Sequence, residues 1–326
     1  MRIALDAMGS DDAPSSEVAG AVAAVEADSG LHVMLVGDEK ALAGPLGGFP
    51  CRDRIAVVHA PERIVPSDAP ASVLRRRPRS SISVGLGLQA AGEADAFVSA
   101  GSTGAVMAAS LLLLRPLRGV DRPALATLFP TDGGLTLVAD IGANIDCKPH
   151  QLVQFARLGA VYMQDLQGMR APRVGLLNVG TEAEKGTEVL QAAYRLLAGS
   201  DLNFVGNIEG RDILKHACDV LVCDGFTGNI LLKFYESVAA FMIRKLAPGL
   251  EGIGQREEVD DLLRDLDYAE YGGAPLLGVN GVTVICHGRS SPRAISAGIG
   301  VAVRAVRSGL VEHMARDLFD PGASGA

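Results

Sequence analysis

The sequence predicts an α/β protein in which helices cover both faces of a mostly parallel sheet. Short apolar runs of strand length alternate with longer segments of helical periodicity along the chain, as in βαβ units. Most of these apolar runs end in a glycine beside a polar residue, as strand-to-helix turns do. Aromatic residues make up only 4% of the 326 residues, whereas 39 are glycine, so small residues must pack closely in the core. A three-layer α/β/α, Rossmann-like arrangement follows.

Ten strands are expected in chain order. They lie near 2 to 6, 31 to 36, 55 to 59, 96 to 99, 124 to 129, 135 to 139, 173 to 178, 203 to 206, 219 to 223 and 282 to 286. Apart from the small residues 322 to 326, no linker or low-complexity tract divides the chain. We therefore predict a single domain over residues 1–326.

One segment, residues 228–267, interrupts the strand pattern and is predicted to form a protruding helical hairpin. Its first arm has apolar residues at helical spacing, and so does its second: Leu231, Phe234, Val238, Phe241 and Ile243, then Val259, Leu262, Leu263 and Leu266. Residues 247 to 254 are expected to form the turn. Such an arm either packs on the body or a twin subunit, or touches a membrane.

Charge and cysteine content narrow the classes of function. The net charge of −8 and the pI near 5.3 argue against a nucleic-acid surface. One basic run is either a solvated loop or a docking site for an acidic protein: Arg75, Arg76, Arg77 and Arg79. Five cysteines without metal-ligand spacing predict reduced thiols, and no stretch has the length of a membrane span or a signal sequence. A cytoplasmic protein is expected.

The polar residues that follow the strands predict an active site. In a parallel sheet the carboxyl ends of the strands share one edge, where ligands bind. Seven strand ends carry such turns, and four polar side chains in them are candidates for the edge of the site: Asp6, Asn144, Asn178 and Asp224. Ordinary turn and capping chemistry is the alternative explanation for each turn taken singly.

Two apparent nucleotide motifs are rejected. Residues 85 to 90 fit G-x-G-x-x-A but do not follow a strand, and residues 180 to 187 have Lys185 before Gly186, the reverse of the Walker order. The aspartates lie in separate turns without ligand spacing. We therefore expect no cofactor and no obligatory metal.

Two turns are predicted to bind a small anion. Gly101 to Gly104 joins a strand to a helix, so that Ser102, Thr103 and the N–H group of Gly104 surround the positive end of the helix dipole. Capping by Ser102 or Thr103 explains the same residues equally well. The second turn follows the last strand and offers an imidazole, two guanidiniums and two hydroxyls: His287, Arg289, Ser290, Ser291 and Arg293. Lys148 and Lys185 supply further positive charge.

These turns closely resemble those of the bacterial phosphate acyltransferase family of phospholipid synthesis. The similar segments run in order along the chain: Asp6 to Gly9, Ser99 to Ala105, Asp140 to Asn144, Leu176 to Gly180 with Lys185 and Gly186, Asn207 to Gly210, Cys223 to Phe226 with Gly228 and Asn229, Tyr271 to Gly278, and His287 with Gly288. Where this chain has Ser102 and Arg289, the family usually has Asn and Ser.

The resemblance implies a phosphotransacetylase-like fold, a homodimer, and the transfer of a long-chain acyl group from acyl-acyl carrier protein to inorganic phosphate. The acyl phosphate would pass to a membrane glycerol-3-phosphate acyltransferase, so transient contact with the inner face of the membrane is expected. Ser102 and Thr103 would position phosphate, Arg289 or Arg293 would neutralise it, and His287 or Lys185 would act at the oxyanion or the leaving thiolate. The basic run would dock the acidic carrier protein.

Three alternatives remain open at this stage. A covalent route would use Cys286 or Cys223 as acyl acceptor. A phosphotransacetylase-type enzyme would take its acyl group from coenzyme A through the same phosphate site. A non-catalytic scaffold of lipid enzymes would use only the hairpin, although the polar strand ends argue against it.

Overall fold

A computed structural model describes residues 1–49, 52–64, 73–250 and 272–319. The strands are β1 (Arg2–Asp6), β2 (His32–Gly37), β3 (Ile55–His59), β4 (Ala96–Ser99), β5 (Ala124–Thr131), β6 (Gly134–Ala139), β7 (Val174–Asn178), β8 (Phe204–Glu209), β9 (Val220–Val222), β10 (Ala274–Leu277) and β11 (Val282–Ile285). The helices are α1 (Ser15–Ala27), α2 (Glu39–Ala43), α3 (Val73–Arg76), α4 (Ser81–Ala90), α5 (Thr103–Leu113), α6 (Pro149–Gln167), α7 (Glu188–Ala198), α8 (Gly225–Leu250), α9 (Pro292–Arg307) and α10 (Leu310–Phe319). Short 3₁₀ helices cover Pro45–Gly48, Arg52–Arg54 and Gly210–Lys215.

The chain forms two compact units. Unit 1 comprises Met1–Pro123 and Gly272–Ala326, and unit 2 comprises Ala124–Tyr271. The single domain expected over residues 1–326 stays a prediction.

Unit 1 has strand order β3-β2-β1-β4-β11-β10, in which only β10 runs antiparallel to its neighbour β11. The central strands are buried on both faces, as all-parallel strands between helix layers must be. On one face, α1 packs against α9 so closely that a Cβ on Gly20 would lie 2.7 Å from the Ile295 Cβ. Glycine is required at that crossing because any side chain would push the two helices apart.

Unit 2 has strand order β5-β6-β9-β7-β8, with β5 antiparallel to β6 and the other pairs parallel. Its core includes Phe129, Phe155 and Tyr162, each no more than 1% exposed. Helix α6 covers β6 and β9, and Gly159 allows the close approach, because a Cβ there would lie 2.7 Å from a methyl group of Val220.

All ten expected strands are present, with ends shifted by up to three residues. The sequence analysis missed β10, because Pro275 within it and the two glycines before it read as a turn. Gly272 and Gly273 do have positive φ values, of 82° and 81°, but the chain then extends and pairs antiparallel with β11. The fold is therefore mixed, although most of its strand pairs are parallel.

The first arm of the predicted hairpin is α8, which begins three residues before the expected residue 228. The prediction that a turn begins at residue 247 was wrong for residues 247–250, because the helix continues to Leu250. The second arm lies outside the described residues.

No single helix in the described ranges is long and apolar enough to cross a membrane. Two consecutive helical segments, Pro292–Arg307 and Leu310–Leu318, meet at a bend of 55°. Together they have the length and apolar composition of a membrane span, and nothing beyond length and composition indicates one.

Candidate active site

Three polar turns meet at one edge of unit 1, as expected for parallel strands. Strands β1, β4 and β11 are adjacent and in register, with Asp6 beside Ser99 and Ser99 beside Ile285. The N–H of Cys286 donates to the Ser99 carbonyl at 2.8 Å, and the N–H of Asp11 donates to the Gly288 carbonyl at 2.7 Å. We call these three turns, 6–11, 99–104 and 286–293, the unit 1 edge.

The first anion-binding turn has the predicted strand-to-helix geometry. Ser102 is the N-cap of α5, and its hydroxyl accepts a long 3.4 Å hydrogen bond from the N–H of Ala105. Ser102 and Thr103 are exposed and Gly104 is half-buried. Within the described part of the chain, no group accepts a hydrogen bond from the N–H of Thr103 or Gly104. Capping is therefore present, and it leaves the N–H groups of Thr103 and Gly104 without an acceptor in the described part of the chain.

The second turn ends in the helix predicted near Pro292. Ser291 is the N-cap of α9 and accepts from the N–H of Ala294 at 3.2 Å. The Nδ1 atom of His287 accepts from the N–H of Arg289 at 3.1 Å. A neutral His287 ring therefore carries its proton on Nε2.

The other polar side chains of this turn lie on the surface. Arg289 and Arg293 are exposed and Ser290 is half-buried, with the N–H of Ser290 donating to the His287 carbonyl at 2.9 Å. The turn thus presents two guanidiniums and a second helix N-terminus at the unit 1 edge.

A buried carboxylate supports both turns from below. Asp6 is 1% exposed, and its Oδ2 accepts from the Ser99 hydroxyl at 2.7 Å while its Oδ1 accepts from the N–H of Met8 at 3.0 Å. The Ser99 hydroxyl also accepts from the N–H of Gly101 at 3.0 Å, so it joins Asp6 to the start of the anion-binding turn. Burial raises the pKa of Asp6, and hydrogen bonds from serine hydroxyls partly oppose the rise. Asp6 is thus an internal support of the edge.

Three residues that support the unit 1 edge were not among the candidate site residues predicted from the sequence. They are Ser99, the buried Glu17, which accepts from the N–H of Ser10 at 2.8 Å, and Arg63, which donates to the Ser10 carbonyl at 2.8 Å. Burial raises the pKa of Glu17, and the charge of Asp6 raises it further. Ser99 ends a predicted strand and could have been found; Glu17 and Arg63 carry no local signal.

Unit 2 has its own polar edge, where the parallel strands β6, β9, β7 and β8 end. Asp140 is fully buried, and its carboxylate accepts hydrogen bonds from four backbone N–H groups, of Leu125, Gly142, Ala143 and Asn144, at 2.6 to 3.3 Å. The side-chain amide of Asn144 donates to it as well, at 2.9 Å. Burial raises the pKa of Asp140 above its usual value, and the hydrogen bonds from Leu125, Ala143 and Asn144 oppose this rise only in part. Asn144 therefore stabilises the turn that follows β6, through its hydrogen bonds to Asp140.

The remaining candidates of unit 2 also stabilise local structure. The Asn178 amide accepts from the N–H of Val179 at 2.8 Å and donates to the Lys185 carbonyl at 3.1 Å, which closes the loop that presents the exposed Lys185 side chain. Asp224 accepts from both the N–H and the hydroxyl of Thr227, each at 2.8 Å, and so caps α8. The capping alternative explains the contacts of Asn178 and Asp224.

A cavity of about 390 Å³ opens at this edge of unit 2. Its lining comes from the turn before α6 and from the N-terminal ends of α6, α7 and α8. Apolar side chains form much of the wall: Ile145, Leu152, Val189, Leu190 and Phe226. We call it the α8 cavity.

Cys223 and Cys286, the two candidates for a covalent route, are poor nucleophiles. Cys223 and Cys286 are 2% and 5% exposed. Burial raises the pKa of the Cys286 thiol to about 12 and that of Cys223 well above its usual value. Because the thiolate is the reactive form, both side chains remain inert thiols at neutral pH. The geometry opposes a covalent acyl-cysteine.

The basic run is on the surface of unit 1. Arg75, Arg76 and Arg79 are exposed and Arg77 is half-buried, and α3, which carries the first two, packs against α5. The backbone of Arg79 is held by the Glu62 carboxylate, which accepts from its N–H at 2.8 Å. The arginine side chains thus lie on the body that carries the first anion-binding turn.

The motif at residues 85 to 90 lies inside α4, where Gly85 packs against the Phe97 ring, so its glycines surround no dinucleotide. In the described ranges, no cluster of three or more His, Cys, Asp or Glu side chains is placed to hold a metal ion. The expectation that the protein needs no metal stays a prediction.

Comparison with known proteins places the chain in a family. Residues 1–313 match the family model described as "Fatty acid synthesis protein". The "Phosphate acyltransferase" of Desulforamulus reducens is 46% identical over 325 residues, which are 98% of this chain and 97% of that protein. The protein of the same name from Pelotomaculum thermopropionicum is 45% identical over 343 residues, covering 100% and 97%.

Solved structures share the fold at low sequence identity. The EutD phosphotransacetylase from Staphylococcus aureus has a TM-score of 0.60 at 17% identity, covering 94% of each chain. A phosphotransacetylase from Streptococcus pyogenes has a TM-score of 0.61 at 17% identity, also covering 94% of each chain. The phosphotransacetylase-like α/β/α fold and the resemblance to phosphate acyltransferases are confirmed. The chain therefore belongs to the fatty acid synthesis protein family, and over nearly its full length it is similar to proteins named phosphate acyltransferase.

Proposed function

We propose that this protein transfers a long-chain acyl group from acyl-acyl carrier protein to inorganic phosphate, releasing acyl phosphate and free carrier protein for glycerophospholipid synthesis. The names of its relatives support the reaction type. The observation that carries the proposal is the unit 1 edge, where two helix N-termini, at Ser102 and Ser291, follow adjacent parallel strands. The N-terminus of a helix binds phosphate readily, because its first N–H groups have no acceptor within the helix and its dipole favours negative charge.

Phosphate is held at the unit 1 edge in this proposal. The N–H groups of Thr103 and Gly104 donate to its oxygens, helped by the hydroxyls of Ser102 and Thr103. The guanidinium of Arg289 or Arg293 neutralises its charge, and the hydroxyls of Ser290 and Ser291 complete the ring of donors. Because Ser102 also caps α5 through a 3.4 Å contact, its hydroxyl can turn toward an anion at low cost.

The chemistry needs orientation more than activation. A phosphate oxygen attacks the thioester carbonyl carbon, a C–O bond forms, and the carbonyl electrons move onto oxygen. When the tetrahedral intermediate collapses, the C–S bond breaks and the thiolate of the carrier leaves. The Nε2–H of His287 donates a hydrogen bond that stabilises the oxyanion or the departing thiolate, since its Nδ1 accepts from the N–H of Arg289, and the released thiolate takes its proton from solvent. The sequence predicts Lys185 as the other side chain for this role, and its side chain is exposed.

The direct attack is favoured over a covalent intermediate. A cysteine route would require Cys286 or Cys223 to ionise, and burial raises the thiol pKa of both. Direct transfer, without an acyl-enzyme, also fits a nucleophile that is already anionic.

The carrier protein docks on the basic run in this proposal. Acyl carrier protein is acidic, and this chain has a net charge of −8, so docking needs a local positive patch. The exposed Arg75, Arg76 and Arg79 provide one on unit 1, with Arg77 beside them. The phosphotransacetylase-like fold supports a second candidate, the same transfer from acyl-coenzyme A.

The exposed face of α8 supports a homodimer or a peripheral membrane contact at the cytoplasmic face. Its apolar side chains are 41% to 67% exposed and recur at helical spacing: Phe226, Ile230, Phe234, Val238, Phe241 and Met242. Several of these lie outside the stripe expected from the sequence. A stripe of this kind on a soluble unit normally meets another apolar surface.

The test is phosphate-dependent release of free thiol from long-chain acyl-acyl carrier protein, with acyl phosphate identified by mass spectrometry. The same assay with acyl-coenzyme A separates the two candidates. Reversing the charge of Arg75, Arg76 and Arg79 should raise KM for the carrier protein and leave KM for phosphate unchanged. His287→Ala should lower kcat, and near-normal turnover would remove His287 from the mechanism. Absence of acyl phosphate with both carriers would refute the proposal.

A further inference from the structure

Three of the polar side chains that line the α8 cavity, Thr187, Asp224 and Thr227, already have hydrogen-bond partners within the protein. Thr187 caps α7 by accepting from the N–H of Leu190 at 3.3 Å. Both oxygens of Asp224 accept from Thr227, at 2.8 Å each, and the Thr227 hydroxyl is the donor to one of them. These three side chains therefore have their main hydrogen bonds within the protein, and a ligand would gain little by competing for them.

The apolar side chains of the same cavity are the ones left uncovered. Ile145 is 60% exposed, Phe226 is 57% exposed and Val189 is 36% exposed, and all three line it together with the buried Leu152. Covering this surface is the favourable interaction that the cavity offers. Its volume of about 390 Å³ lies in the range of small-molecule pockets.

The charge of the lining argues against an anionic occupant. Two carboxylates, Asp146 and Asp224, belong to the wall, and no lysine, arginine or histidine does among the described residues. Phosphate or the nucleotide end of coenzyme A would meet like charge here. A neutral apolar group would not.

The apolar surface also continues beyond the cavity. Phe226 belongs both to the cavity and to the exposed face of α8, which runs on through Ile230 and Phe234 to Met242. At 1.5 Å per residue, this face extends about 24 Å from Phe226. An elongated apolar ligand could start in the cavity and follow the helix.

We propose that the α8 cavity binds the acyl chain of the thioester substrate, with Ile145, Val189 and Phe226 against its methylene groups. This inference rests on the proposed function, because a long-chain acyl thioester supplies the elongated, neutral, apolar group that the cavity fits. Side chains at the cavity then set the preference for chain length.

The test measures binding without catalysis. S-dodecyl-pantetheine and S-methyl-pantetheine are thioethers that cannot transfer an acyl group, and they differ only in the chain. Calorimetric titration compares wild type with Val189→Asp and with the matched control Val205→Asp, whose valine is 42% exposed in β8 and does not line the cavity. Val189 is the second residue of α7, where an aspartate suits the helix dipole, so this variant should fold. Ile145→Asp is the second cavity variant.

We expect Val189→Asp and Ile145→Asp to weaken binding of the dodecyl compound at least about tenfold, the equivalent of losing contact with about two methylenes. Val205→Asp should stay within about twofold of wild type. Equal binding of the methyl and dodecyl compounds would show that the alkyl chain contributes nothing to binding, and would overturn the proposal. So would unchanged dodecyl binding in both cavity variants, or no binding by wild type.

Turnover separates this inference from the proposed function. The readout is the ratio of kcat/KM for a 16-carbon donor to kcat/KM for a 4-carbon donor. If wild type forms acyl phosphate and Val189→Asp has the same ratio as wild type, the cavity proposal fails and the proposed reaction stands. If no acyl phosphate forms but dodecyl binding is lost in the cavity variants, the reaction fails and the cavity stands as an apolar-chain site.

Discussion

Replacing Ser99 with alanine should disturb phosphate binding through the support beneath it. Ser99 is fully buried, and its hydroxyl donates to Asp6 at 2.7 Å and accepts from the N–H of Gly101 at 3.0 Å. Ser99→Ala removes both bonds at once. It leaves the Gly101 N–H without this partner, next to the turn whose N–H groups are proposed to hold phosphate.

The size of the effect follows from these two contacts. A hydrogen bond to a charged group contributes about 1.5–3 kcal/mol, and a buried N–H left without a partner costs about 1–3 kcal/mol. Allowing for partial relaxation, we expect Ser99→Ala to lower the free energy of unfolding by about 3 kcal/mol. A shift of the turn that costs about 1.4 kcal/mol of phosphate binding would raise KM for phosphate about tenfold.

The assays are urea unfolding and the thiol-release reaction at varied phosphate concentration. Ser110→Ala is the matched control, because Ser110 is also fully buried, but its hydroxyl has no hydrogen-bond partner among the described residues. That variant should unfold and turn over like wild type. If Ser99→Ala matches Ser110→Ala in both stability and KM, the Asp6 support does not position the turn.

Three further predictions concern the mechanism and the fold. Cys286→Ala should retain kcat within about threefold, since its buried thiol has a pKa raised to about 12; loss of turnover with the fold intact would restore the covalent route. Asp219→Asn should lower stability by about 2 kcal/mol at pH 7, because Asp219 accepts from the backbone and guanidinium of Arg173 at 2.6 to 3.2 Å. Desolvation raises the pKa of Asp219, but the hydrogen bonds from Arg173 outweigh it and hold the pKa below its usual value. The stability difference between variant and wild type should therefore be complete above about pH 5 and vanish as the pH falls through the folded-state pKa. A constant difference across an acid titration would contradict this. Gly228→Ala should lower stability by about 3 kcal/mol or more, since its Cβ would overlap the Asp140 carbonyl, and a melting temperature equal to that of wild type would show that the α8 end can move.

The local sequence determined most of the fold and the strand-end turns. Short continuous apolar runs located ten strands, because a strand buried on both faces of a sheet needs apolar side chains on both sides. The turn at Ser102 and the helix start at Pro292 were readable because capping depends on residues within one helical turn. Family membership was also readable, since it rests on short motifs in a set order.

Only the tertiary structure decided which polar residues are buried beneath a candidate site and which are exposed at its surface. Asp6 and Asp224 look alike in sequence, but one is buried under Ser99 and the other caps α8, because the neighbours that satisfy a carboxylate come from different parts of the chain. Glu17, Arg63 and the α8 cavity have no local signal for the same reason. Strand β10 was missed because its pairing with β11, and not its own residues, makes it a strand. The low reactivity of Cys286 likewise follows from burial, which depends on the packing of the whole unit around it and cannot be read from its neighbours in sequence.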